Sequence, residues 1–172
     1  MIRNNLRYSI IEGSFFALMF GLGENYLSAM AVFLGFSALQ ISVLSSLPQL
    51  VGAFAQLVTY KLANIFRSIK RMVVILAVLQ ACMWLILIYI INITDNFILI
   101  LVWSTIYFTI ACLIGPAWIS WMGYLVPIRL RSNYYANRNK IVHSAIFISI
   151  MLGGLILKLY KDDMVFAFTP GL

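Results

Sequence analysis

The sequence predicts an all-α integral membrane protein with about five transmembrane helices and the start of a sixth. Three observations predict it. Of 172 residues, 63% are hydrophobic and 10% are charged, where a soluble domain carries about 25% charge. Mean hydropathy is +1.00, more apolar side chain than a soluble fold this short can hide. The apolar residues also form long runs, each close to the roughly 20 residues that cross a bilayer. Continuous rather than alternating hydrophobicity excludes a β-barrel.

The elements follow in order. The N-terminus, MIRNNLRYS, is short and basic, and the first span covers residues 10–34. An uncharged loop leads to the second span at 41–63, which contains Pro48. A basic loop at 61–71 precedes the third span, 72–91. Asn92-Ile93-Thr94-Asp95-Asn96 is a short turn before the fourth span, 97–123. A basic loop from Tyr124 to Asn139 feeds the fifth span, 140–159. The last residues, 164–172, read as the first third of a sixth helix, too short to cross, so the chain reads as cut.

Lysine and arginine alternate from loop to loop. Arg3 and Arg7 lie before the first span. Lys61, Arg67, Lys70 and Arg71 lie between the second and third, and Arg129, Arg131, Arg138 and Lys140 between the fourth and fifth. The other two interhelical loops hold none. Because basic residues collect on the cytoplasmic side, the N-terminus is expected inside and the end of the fifth span outside. The formal charge of +7 is therefore read as a topology signal that meets anionic headgroups. It is not read as a nucleic-acid surface, since no basic face interleaved with stacking aromatics lies outside the spans. The expected location is a cell inner membrane or plasma membrane, crossed several times.

Each span has a distinctive face. In the first, Gly13, Ala17, Gly21, Glu24, Ser28 and Ala31 share one side at steps of three and four, a pattern that lets another helix approach closely. Glu24 falls on that side near or past mid-membrane. An intramembrane carboxylate costs about 2.5–3.5 kcal/mol on insertion scales. Two readings are open: a proton, ion or substrate ligand, or a hydrogen-bonded structural glutamate. Asn25 and Tyr26 are its natural polar neighbours. In the second span Ser42, Ser45, Gln49, Gly52 and Gln56 recur at the same steps, as a packing seam or a cavity wall.

The fourth span carries Trp103, Tyr107, Trp118 and Trp121 in one arc. The tryptophans fit interfacial belts, and Tyr107, being deeper, is the better cavity residue. Gly115-Pro116 is expected to loosen this helix. In the fifth span Ala145, Ser149 and Gly153 repeat the small-residue spacing, which predicts a meeting with the first span or a pairing between copies. His143 is expected at the interface. Cys82 and Cys112 read as packing residues. No metal-ligand spacing, phosphate loop or nucleophile elbow is present, so neither a cofactor nor enzyme chemistry is predicted.

The stretch GPAWISWMGYLVPIRLRSNYYANRN resembles the end of the fourth helix and the following loop in a group of bacterial major facilitator superfamily transporters. Their pattern there is close to G-P-A-W-x-S-W-M-x-D-L-V-P-x-x-x-R-G-x-x-F-x-x-R-N. LANIFRSIKRMVV is similar to a degenerate form of the superfamily's G-x-L-A-D-R-x-G-R-K/R signature, and residues 12–57 resemble the group's first two helices. The departures are Asn64 and Tyr124 in place of two loop acids, and Ile69 and Ser132 in place of two glycines. The arginine motif of the fourth helix and the G-x-x-x-G-P motif of drug antiporters are absent.

The resemblance implies most of the N-terminal six-helix half of a twelve-helix transporter, with secondary transport of a small solute by alternating access. Read with the spans' own polar residues, Glu24 is expected as the ionisable group, with Tyr107, Gln49 and Gln56 as cavity or seam contacts. The resemblance implies a cytoplasmic charge relay drawn from Lys70, Arg71, Arg131 and Arg138. One half cannot enclose a pathway alone, so the partners implied are the lipid bilayer, a small solute, and the missing half or another membrane chain. The alternatives are an inert truncated remnant and a small oligomerising membrane subunit.

Overall fold

A computed structural model describes residues 2–66 and 68–159. Arg67 and the expected sixth-helix stub at 164–172 lie outside the described residues. The elements are α1 (Ile2–Leu22), a 3-10 turn (Glu24–Tyr26), α2 (Leu27–Phe33), α3 (Ala38–Gln56), α4 (Thr59–Ile65), α5 (Ile69–Ile93), α6 (Phe97–Leu125) and α7 (Ile128–Leu159). No strand occurs among the described residues. Among the described residues, five helical segments are long and apolar enough to cross a membrane: Leu6–Phe33, Ala38–Gln56, Ile69–Ile93, Phe97–Leu125 and Ile128–Leu159. The chain is thus an all-helical, multi-pass membrane protein.

The joints have local causes. Gly35 (φ 73°) takes the left-handed conformation after α2, and the Phe36 N–H donates back to the Ala31 carbonyl at 3.1 Å, a helix-closing turn that glycine accepts without strain. Ser37 and Gln40 then form a reciprocal capping box at the start of α3. Asn96 caps α6, its side-chain oxygen accepting from the Ile98 N–H at 2.9 Å. Pro127 disfavours helix at Val126 and separates α6 from α7.

Three expectations are corrected. The fourth-to-fifth loop is mostly helix: only Val126 and Pro127 interrupt it, and α7 runs on for 32 residues. At 1.5 Å per residue that is about 48 Å, well beyond a hydrocarbon core of about 30 Å. Its basic first third therefore extends past the core as helix. Second, Gly115-Pro116 leaves α6 unbroken. Third, the breaks within the apolar runs fall where no proline stands, at Gly23–Tyr26 and at Leu57–Val58.

The residues group into two compact units, 2–30 with 123–159, and 31–122. In the first, α1 and α7 pack along their length. Ser9 and Glu12 meet Arg138. A side-chain carbon added at Gly13 would lie 2.8 Å from Val142, and one at Gly21 would lie 2.4 Å from Ser149. Further along, Tyr26 reaches Ile150 and Gly153. Both chains advance together, so the helices are parallel. The predicted meeting of the small-residue faces of the first and fifth spans is what forms this seam. Parallel first and fifth spans fit the three crossings between them.

In the second unit, α5 and α6 run antiparallel around a core of Met72, Val73, Leu76, Leu113 and Ala117, flanked by Trp118 and Trp121. Gly52 lets α3 close on α6, where an added carbon would meet the Cys112 sulfur at 2.7 Å.

Candidate functional site

The site begins with a fault in a helix. After the Gly23 N–H donates to the Met19 carbonyl, the backbone tightens, and the Tyr26 N–H donates to the Gly23 carbonyl, each at 2.9 Å. Glu24 is the first residue of this 3-10 turn and is half-buried. A short 3-10 stretch within a spanning helix marks a hinge or a strained sequence. The two polar neighbours hold the fault in place. The Asn25 amide donates to the Phe20 carbonyl at 3.0 Å, recovering an acceptor that the break releases. The Tyr26 hydroxyl donates to the Ile150 carbonyl of α7 at 2.6 Å.

That second bond needs glycine on α7. A carbon added at Gly153 would stand 2.5 Å from the Tyr26 ring, and one at Gly154 would be 3.3 Å from its hydroxyl. Ser149 is fully buried on the same face and turns its hydroxyl to the Ala145 carbonyl. The arrangement is a carboxylate at an interrupted helix, clamped to a parallel neighbour through small residues. Chemically, such a carboxylate is a group that can take up a proton or pair with a cation.

The other predicted residues lie in the second unit. Tyr107 is fully buried, stacked on Trp103 at 5.1 Å and edge-on to Trp84 at 5.6 Å. Trp103 is 2% exposed, and its indole N–H donates to the Met83 carbonyl at 2.6 Å. It is therefore a packing residue of the α5/α6 seam and not part of an interfacial belt. Gln49 and Gln56 are exposed on α3, with Gln56 beside the Cys112 thiol. The expected seam through Ser42, Ser45, Gln49, Gly52 and Gln56 is shifted: Leu44, Pro48 and Gly52 are buried, and of the predicted stripe only Gly52 joins them.

The four relay residues separate into three settings. Lys70 and Arg71 are exposed in the first turn of α5. Arg131 folds back on the end of α6, donating to the Val126 carbonyl at 3.0 Å and to the Gly123 carbonyl. That is a helix C-cap by a cation, favourable for both dipole and carbonyls. Arg138 pairs with Glu12 at 3.3 Å and also donates to the Ser9 carbonyl. Its acidic mate is thus on α1 rather than in a loop. The Tyr134 hydroxyl lies beside the buried Ser9 side chain, and neither oxygen completes a hydrogen bond of ordinary geometry.

Glu12, Ser9 and Tyr134 carry no motif. The one available signal is scarcity, since Glu12 is among five acids in the chain. Buried Gln80 and half-buried Trp84, one turn apart on α5, also went unmarked, and a buried nitrogen of each side chain lacks a partner. The chain matches no known protein-family model, no curated protein and no solved structure.

Proposed function

We propose that the chain is part of a secondary transporter for a small solute, with Glu24 as the group whose charge drives the hinge. The carrying observation is a carboxylate at the 3-10 fault of a membrane-length helix. Ionisable groups are rare in spans and mark ion or substrate paths, and interrupted helices surround such paths in transporters. The loop stretches similar to those of major facilitator transporters support the same reading. So does the parallel seam, which leaves α1 and α7 as a unit able to rock as one body. The topology that accompanies the proposal places the N-terminus in the cytoplasm, in a cell inner membrane or plasma membrane. The chain contributes one wall of the path and needs a second.

In the mechanism, the ionised Glu24 opens the turn toward water on one side. Protonation or pairing removes the cost of moving it through the apolar layer, so the turn can present the site to the other side. Tyr26 limits the travel through its bond to Ile150.

The test uses Ser28→Cys, one turn beyond Glu24, with Cys82→Ser and Cys112→Ala. Labelling by a membrane-impermeant maleimide is followed in intact cells and in inverted vesicles. Labelling from both sides is expected, with a pH dependence that Glu24→Gln abolishes. Labelling from one side only, or a pH profile unchanged by Glu24→Gln, contradicts the proposal.

A further inference from the structure

Helix α3 has three sectors. Leu44, Pro48 and Gly52 are buried. Leu47, Leu50, Val51 and Phe54 are exposed and apolar, as a lipid-facing side requires. Ser42, Ser45, Gln49 and Gln56 are exposed and polar. At 3.6 residues per turn the polar sector is centred about 90° round from the buried one, on the flank away from the apolar side.

Its serines are self-contained: Ser42 and Ser45 donate to the Ala38 and Ile41 carbonyls at 2.8 and 3.0 Å. Gln56 turns to the Cys112 thiol of α6, and Gln49 is left. The Gln49 side chain makes no hydrogen bond among the described residues, and it lies about 16 Å along the helix from Ala38, near the middle of a core of about 30 Å. A bare amide there is costly against lipid.

The small-residue faces of α1 and α7 are occupied by each other. They are not available to join copies, which corrects the expectation that those faces pair between molecules. The α3 sector remains, and it is self-complementary. Ser42, Gln49 and Gln56 are spaced by seven, with Ser45 between, the repeat of a parallel left-handed helix pair. Copies inserted in one orientation can only pair in parallel about a twofold axis along the membrane normal, which brings each residue to its own counterpart. Glutamine is suited to this because its amide both donates and accepts.

We propose that α3 pairs with α3 of a second copy of this chain, each Gln49 amide bonding to its counterpart. The proposal rests on α3 crossing the membrane and is independent of transport.

The test is disulfide scanning of the full chain in native membranes, with Cys82→Ser and Cys112→Ala. Single substitutions are Ser42→Cys, Ser45→Cys and Gln49→Cys in the sector, and Leu50→Cys and Phe54→Cys on the apolar side. Dimer-sized disulfides are expected at Ser42 and Gln49, at least about tenfold above Leu50 and Phe54. Co-purification of two differently tagged copies without any substitution reads the same association. Gln49→Leu should weaken it about tenfold, the worth of one interhelical polar pair, and Gln49→Asn should preserve it. Failure of the tagged copies to co-purify overturns the proposal. So do disulfides without the seven-residue period, or a Gln49→Cys thiol that reacts with impermeant reagent and never dimerises.

Discussion

The α1/α7 seam and the α5/α6 seam solve the same problem in opposite ways. The first joins parallel helices through absent side chains: Gly13, Gly21 and Gly153 stand where any added carbon would lie within 3 Å of the neighbour. The second joins antiparallel helices through large ones, with Trp84, Trp103 and Tyr107 in mutual ring contact. In lipid no hydrophobic force drives helices together, so contact comes from packing and hydrogen bonds. The parallel seam gains it by close backbone approach and leaves few alternatives. The antiparallel seam gains it from ring surface and carries two unpaired buried donors, on Gln80 and Trp84. One seam is tight and holds the faulted helix; the other is bulky and incompletely satisfied.

The largest expected break of that contrast is Gly21→Leu. The new side chain has no room beside Ser149 and the Ile146 carbonyl, and overpacking of this kind costs about 3 kcal/mol. Thermal unfolding in detergent should show the loss, while Gly123→Ala, with open space around it, should not.

Arg138→Ala comes next. It removes the pair with Glu12, whose carboxylate is half open to solvent, so the expected loss is about 1 kcal/mol. The same melting assay reads it, and raised salt should shrink the difference between wild type and variant.

Gln80→Leu should act in the opposite direction. It deletes an amide nitrogen that is buried without a partner and should stabilise the α5/α6 seam by about 1 kcal/mol. A lower melting temperature would show that this amide bonds within the seam.

The smallest effect is expected of Gly115→Ala. Nothing lies within 4 Å of the added carbon and the helix is continuous there, so the change should be neutral or stabilise by about 0.5 kcal/mol through helix propensity.

Most of this architecture was legible in the residues, for identifiable reasons. Span number follows from run length, because hydropathy is a local quantity. The α1/α7 meeting was legible because small residues at four-residue steps have one main use in lipid. The fault at Glu24 was not, because its cause is nonlocal: Tyr26 is held by a carbonyl 124 positions away. Pro116 misled in the opposite sense, since a spanning helix can re-satisfy what proline frees. In the candidate site Glu24 was evident as a charge in an apolar run. Glu12 was hidden because its partner Arg138 is 126 residues distant, and no spacing rule reaches that far. The stripe on α3 was legible as polar, but its rotation away from the buried side depends on where α6 packs.

The parallel course of the first and fifth spans is the claim on which the seam and its clamp on the faulted helix stand. It is tested most directly by paired cysteines in the chain with Cys82→Ser and Cys112→Ala. Gly13→Cys with Val142→Cys, and Tyr26→Cys with Gly153→Cys, should each form a disulfide within one chain. The crossed pairs, 13 with 153 and 26 with 142, should not. Disulfides in the crossed pairs and none in the matched ones would mean the two helices run in opposite directions.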